Sequence, residues 1–155
     1  MGLAKRRSAH LIGGIALCLA AMGQDVRAQE APAQEAPAKA AGLSLELNRL
    51  EQNGPACRAT LVAKNGFQES LDETAFELVT FDKAGLIGLM TVIDFGALPT
   101  GKTLVKRFDL PETECGALTR ILVNSVARCA GPGIDLARCQ TSFTTDNRAA
   151  IEFGR

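Results

Sequence analysis

The stretch AFELVTFDKAGLIGLMTVIDFGALPTGKTLVKRFDLP, residues 75–111, is the densest apolar run outside the N-terminal end of the chain. It holds three segments rich in strand-forming residues, 76–81, 87–95 and 103–110, separated by breaks that contain Gly and Pro. Asp82 and Gly85 supply turn chemistry at the first break, because Asp can bond its own backbone and Gly accepts a positive φ. The stretch therefore predicts three β-strands joined by two turns.

Side chains alternate regularly in the second of these segments. One face would carry Ile87, Leu89, Thr91, Ile93 and Phe95, and the other Gly88, Met90, Val92 and Asp94. An apolar face backed by a mixed face predicts a central strand of a sandwich. The third segment alternates less well, since Lys106 shares a face with Leu104 and Phe108, and we predict a β-bulge within it.

Further short segments on both sides of this stretch also have strand character. Residues 43–47, 57–64 and 119–126 read as strands, 67–74 as a loop, 112–118 as one helical turn, and 141–145 as a last short strand. The tail 146–155 has no clear pattern. About seven strands in just over a hundred residues predict an all-β domain over 43–155, an antiparallel sandwich of immunoglobulin-like type.

The N-terminal residues 1–28 have the three parts of a secretory signal peptide. Lys5, Arg6 and Arg7 form a positive head, residues 11–22 are apolar, and Ala28 ends a segment suited to cleavage. The apolar run is shorter than the roughly 20 residues that span a bilayer, so we expect no stable membrane span after cleavage. Whether export follows the general or the twin-arginine route is left open. Residues 29–42 contain the repeat QEAPA–QEAPA and predict a disordered tether.

Composition excludes several function classes. The only histidine is His10, within the predicted signal peptide, so Ser-His-Asp and Cys-His catalysis and histidine metal sites are disfavoured. The chain has no Trp and no Tyr, and residues 29–155 carry a small excess of acidic groups without a Lys/Arg cluster. We therefore expect no nucleic-acid binding, no cofactor and no enzymatic activity.

Four cysteines follow the signal peptide: Cys57, Cys115, Cys129 and Cys139. An even number in an exported chain predicts two disulfides, for which sequence permits three connectivities. We favour Cys129 with Cys139, because the Gly- and Pro-containing segment between them suits a loop, which leaves Cys57 with Cys115. Structural zinc is disfavoured, because no two cysteines have CxxC spacing.

The segment 96–103 matches the phosphate-binding P-loop pattern GxxxxGK[ST] through Gly96, Gly101, Lys102 and Thr103. A nucleotide-binding protein is thus the alternative function. The mechanism needs a helix after the loop, whose N-terminus holds the phosphates, and the following residues read as a strand. A carboxylate enzyme using Asp82 and Asp94 is a third hypothesis. These two residues are more simply a turn former and an exposed strand residue.

The motif Phe76-x-Leu78-x-x-Phe81-Asp82-x-x-Gly85, followed by an apolar strand, resembles the FxLYD-type immunoglobulin-like domains of exported bacterial proteins. Together with residues 43–48, Cys57 and the segment 124–129, it is also similar to a group of small uncharacterised exported bacterial proteins. The resemblance implies an immunoglobulin-like fold and a periplasmic or secreted location, and no activity. We therefore expect a non-catalytic module that binds an unknown protein or cell-envelope component.

Overall fold

The structure is a computed structural model that describes residues 41–155. The predicted signal peptide and residues 29–40 of the predicted tether lie outside the described residues. Gly42, placed in the tether by the sequence, is part of the folded domain, since its carbonyl accepts a 2.7 Å hydrogen bond from the Gly66 N–H. A Cβ at position 42 would lie 2.1 Å from the Ser142 carbonyl oxygen, so the backbones are in close contact there.

The described residues form eight strands, one 3₁₀ turn and one short α-helix. In chain order they are β1 (Leu43–Asn53), β2 (Ala56–Asn65), β3 (Glu73–Asp82), β4 (Ile87–Asp94), β5 (Thr103–Leu110), the 3₁₀ turn (Cys115–Ala117), β6 (Leu118–Ala130), α1 (Leu136–Thr141), β7 (Thr144–Asn147) and β8 (Glu152–Gly154). They build two four-stranded sheets, with strand orders β5-β2-β1-β7 and β4-β3-β6-β8. The predicted all-β, two-sheet class is confirmed.

Several details differ from the predicted antiparallel sandwich of about seven strands. β7 pairs parallel to β1, and β8 pairs parallel to β6. Residues 136–141, which the sequence left unassigned except for Thr141, form α1, and Asp135 caps its N-terminus by accepting from the Arg138 N–H at 2.8 Å. The last strand predicted at 141–145 begins only at Thr144, after this helix.

The predicted three-strand unit is divided between the two sheets. β3 and β4 form an antiparallel hairpin, but β5 crosses to the other sheet and pairs with β2. The pairing of β5 with β2 runs without a register shift, so the predicted bulge within 103–110 is wrong. Register shifts occur instead in other strand pairs, including the β3–β4 hairpin, where one lies between Val79 and Phe81. β4 is an edge strand, and its predicted central position is also wrong.

The core between the sheets is built from inward-facing residues of both. Phe76 on β3 is fully buried, with its ring centroid 5.7 Å from that of Phe95 and 5.4 Å from that of Phe143. Leu45, Leu61 and other aliphatic residues of β1 and β2 belong to the same buried cluster. Aromatic pairs at these separations contribute beyond their buried area, so Phe76 and its two partner rings add to the stability of the core.

Two disulfides close opposite ends of the sandwich, with the connectivity favoured from the sequence. Cys57 on β2 is bonded to Cys115 in the 3₁₀ turn, across a sequence separation of 58. Cys129 near the end of β6 is bonded to Cys139 on α1, across a separation of 10. The first bridge links the β5-β2-β1-β7 sheet to the segment that leads into β6 of the other sheet. The second holds the short helix against β6.

Candidate functional site: the open edge at β4

The outer surfaces of the two sheets differ in polarity. The β5-β2-β1-β7 sheet presents mainly polar side chains to solvent. They are Ser44, Glu46, Arg58, Thr60, Lys64, Thr103, Arg107 and Asp109, and the apolar exceptions are Val62 and Val105. The other sheet carries apolar side chains on its outer surface along β4 and its neighbours. A water-facing sheet surface is normally polar, so this second surface stands out as a candidate contact surface.

We define the β4 patch as six residues on this outer surface: Val79, Phe81, Ile87, Met90, Val92 and Leu122. Ile87, Met90 and Val92 are 59%, 56% and 47% exposed. None of the six belongs to the core cluster or packs against it. The patch therefore lies outside the core cluster, and all of its residues except Val79 are at least partly exposed.

The strand register explains how the patch is assembled. Val79 lies opposite Met90 on one side and opposite Leu122 on the other. Its neighbours leave it only 2% exposed although it lies on the outer surface. Phe81 lies opposite Ile87 because the irregularity after Val79 shifts β4 by one residue. That shift places Ile87 on the same surface as Met90, and so extends the apolar area.

Among residues 41–155, the backbone of β4 also has hydrogen-bonding groups without a partner. The Phe95 N–H donates to the Thr74 carbonyl at 2.8 Å, and the Leu89 N–H donates to Thr80 Oγ1 at 2.9 Å. The backbone N–H and C=O groups of successive residues in a strand point to opposite sides. Since those of Leu89 and Phe95 point toward β3, those of Met90 and Val92 point away from it, toward the free edge. An added strand could pair with them.

β5, the corresponding edge strand of the other sheet, differs in composition. Lys106, Arg107 and Asp109 interrupt it, whereas β4 carries one charged residue, Asp94, at its end. Charged residues on edge strands are a common device against unwanted strand pairing. β5 has that protection and β4 lacks it over most of its length.

Charged groups lie at both ends of β4. At the C-terminal end, Lys106 Nζ donates to the Phe95 carbonyl at 2.8 Å, and Asp94 pairs with Arg128. The Gly96 N–H, and next the Arg128 guanidinium, lower the pKa of Asp94, so the carboxylate is held ionised. At the N-terminal end, Glu112 and Glu114 line a cavity of about 340 Å³ beside Gly88 and Leu89.

The P-loop-like segment is a tightly bonded connection between β4 and β5. It continues into strand β5 instead of a helix, so the helix N-terminus that the phosphate site needs is missing. Several of its amides are already used: the Gly96 N–H donates to Asp94 Oδ1, and the Leu98 N–H to the Leu71 carbonyl. The Lys102 N–H bonds the Pro99 carbonyl at 3.0 Å, and Thr103 is the first residue of β5. The segment, including Gly101, is an inter-sheet loop.

Asp82 and Asp94 lie at opposite ends of the β3–β4 hairpin. Asp82 precedes the turn and its Oδ1 accepts from the N–H groups of Ala84 and Leu86 at 2.8 and 2.9 Å, while Asp94 pairs with Ala75 near the other end of β3. Seven residues of strand separate Ala75 from Asp82, or roughly 20 Å at about 3.3 Å per residue. Carboxylate pairs in glycosidases are about 5–9.5 Å apart. The structure does not bring these two carboxylates together.

The cysteines form no metal site within the described residues, because all four are consumed in the two disulfides. Within residues 41–155, α1 is the single α-helix, and no helix has the length and apolarity to cross a membrane.

No family model, curated protein or solved structure matches this chain. The β4 patch was not predicted as a site, although the sequence places Met90 and Val92 together on the mixed face of their strand.

Proposed function

We propose that the protein is an exported, disulfide-stabilised β-sandwich module without catalytic activity, which binds a protein partner through β4. The observation that carries this proposal is the unprotected edge: exposed apolar side chains at Met90 and Val92 beside backbone groups that point away from the sheet. Addition of a strand to such an edge is a recurring mode of protein recognition, in which main-chain bonds supply affinity and side-chain contacts supply specificity.

Location in the periplasm or outside the cell belongs to the same proposal. Two disulfides are typical of proteins that mature in oxidising compartments, and residues 1–28 have the pattern of a cleaved signal peptide. The resemblance to FxLYD-type immunoglobulin-like domains agrees with this location. Phe76, Phe81 and Asp82 of that motif lie on β3, and Gly85 lies in the following turn.

The test is photo-crosslinking in the producing cell, with a photoreactive amino acid placed at Val92 or at Val105. Both are exposed valines on edge strands, 47% and 57% exposed, but Val105 lies on the charged edge β5. We expect protein adducts in the envelope fraction from position 92 and none of the same mass from position 105. Identical adducts from both positions, or none from position 92, would contradict the proposal.

A further inference from the structure

We propose that the partner at β4 is a second copy of this chain, which pairs its own β4 antiparallel to the first about a two-fold axis. This inference rests on the proposed function, because it names the occupant of the same edge. β4 is the suitable strand for this, since the free edges at β7 and β8 belong to strands of only four and three residues. β5 is long enough, but charged residues interrupt it.

The backbone register fits such a pairing. Met90 and Val92 both present N–H and C=O groups at the free edge, while Thr91 between them faces β3. With the two-fold axis at Thr91, Met90 of each copy lies opposite Val92 of the other. Each of these symmetry-related pairs exchanges both of its N–H···O bonds. The edge groups that are free in one copy would thus be satisfied by the other.

The side chains fit the same register. Residues directly opposite each other in an antiparallel pair project from the same surface, so Met90 would pack beside Val92 of the second copy on the outer surface. The two β4 patches would then become one continuous apolar area. Thr91 would meet Thr91 of the second copy on the opposite surface, a cross-strand pair that is favourable in sheets.

Charge favours the antiparallel orientation. Glu112 and Glu114 lie beside the Gly88 end of β4, and Lys106 lies at the Asp94 end, where Arg128 pairs with Asp94 and Glu73. Antiparallel pairing brings Glu112 and Glu114 of each copy toward Lys106 of the other. Parallel pairing would place Glu112 and Glu114 beside the same two residues of the second copy, which is unfavourable.

Sedimentation velocity of the chain, purified after export with both disulfides formed, tests this inference over a wide concentration range. We expect a monomer–dimer equilibrium. Val92→Lys should raise the dissociation constant about tenfold or more, because it introduces a charge into the apolar area. Val105→Lys is the matched control and should leave it unchanged. Glu114→Lys should weaken the dimer, and Glu152→Lys, on β8 of the far edge, should not.

The outcomes separate the two proposals. Thermal unfolding of each variant checks that it remains folded, and Lys at position 92 lies opposite Glu77, which favours a folded product. A chain that stays monomeric at every concentration, or a dimer that Val92→Lys leaves intact, overturns self-pairing. If position 92 nevertheless forms envelope adducts with a different protein, the proposed binding function stands and only the identity of the partner is wrong.

Discussion

Asn65 donates a buried hydrogen bond of 2.9 Å from Nδ2 to the carbonyl of Leu98, in the P-loop-like segment 33 residues away. The same amide group donates to the Glu69 carbonyl at 2.8 Å, and its Oδ1 accepts from the Phe67 N–H at 2.9 Å. One fully buried side chain thus joins the loop after β2 to the connection that leads from β4 to β5. It fixes the point at which the chain crosses between sheets.

We expect Asn65→Ala to lower the free energy of unfolding by about 2–4 kcal/mol, because it leaves buried backbone groups without partners. Asn53→Ala is the control. Its amide contacts Asp109 at an exposed site, and we expect a change of about 0.5 kcal/mol or less. Urea unfolding of the two variants measures the difference. Equal midpoints would show that the Asn65 bonds do not hold this crossing.

Gly131 is in close contact with the backbone of the loop before β3. A Cβ at this position would lie 2.2 Å from the Ser70 carbonyl oxygen, so Gly131→Ala must displace that loop, at a cost of about 1–3 kcal/mol. At Gly116 an added Cβ meets no atom of the described part of the chain within 4 Å, and Gly116→Ala should change stability by about 0.5 kcal/mol or less. Thermal unfolding compares the pair, and equally stable variants would contradict the close contact.

Asp94 makes the stability of the fold depend on pH. Its pKa in the folded protein is lowered, first by the Gly96 N–H and then by Arg128, so its stabilising effect is complete above the ordinary Asp value of about 3.9 and is lost as pH falls below it. We expect the wild-type urea midpoint to fall between about pH 5 and pH 2, and Asp94→Asn to reduce that fall. Superimposable pH profiles would contradict this assignment.

The two disulfides should differ in their effect on stability. Loop-closure entropy gives about 4 kcal/mol for the Cys57–Cys115 bridge and about 3 kcal/mol for Cys129–Cys139, because the first closes the longer loop. Cys57→Ala with Cys115→Ala should therefore destabilise the fold more than Cys129→Ala with Cys139→Ala. Unfolding of the two double variants under non-reducing conditions measures this order, and the reverse order would contradict the loop-length account.

Local sequence patterns predicted most of the strands, the disulfide pairing and the all-β class. Turn residues such as Gly85 and the strand-forming segments act over a few residues, so they are readable without a structure. The sheet to which each strand belongs depends on distant partners: Leu98 pairs with Leu71, and β5 pairs with β2. Nothing within 103–110 reveals that partner, so the local pattern predicts a bulge where the structure has a regular edge strand.

The candidate site could be predicted only in part, for the same reason. The alternation of residues 87–95 shows that Met90 and Val92 share a face. Their exposure, however, follows from the edge position of β4, which the order of strands in the sheet decides. The P-loop-like segment shows the opposite problem, because here a local pattern suggests a site that the surrounding structure does not support. Its letters agree with the motif, but Asn65, Ser70 and Leu71 bond its backbone from elsewhere in the chain.

Backbone amide exchange along β4 tests most directly whether this edge pairs with another strand. The amides of Thr91 and Ile93 face β3 and should exchange slowly at every protein concentration. Those of Met90 and Val92 face the free edge, and we expect them to exchange fast in dilute protein and slowly at concentrations where the dimer forms. If Met90 and Val92 exchange fast at all concentrations, β4 does not pair with a second copy, and the self-pairing account is wrong.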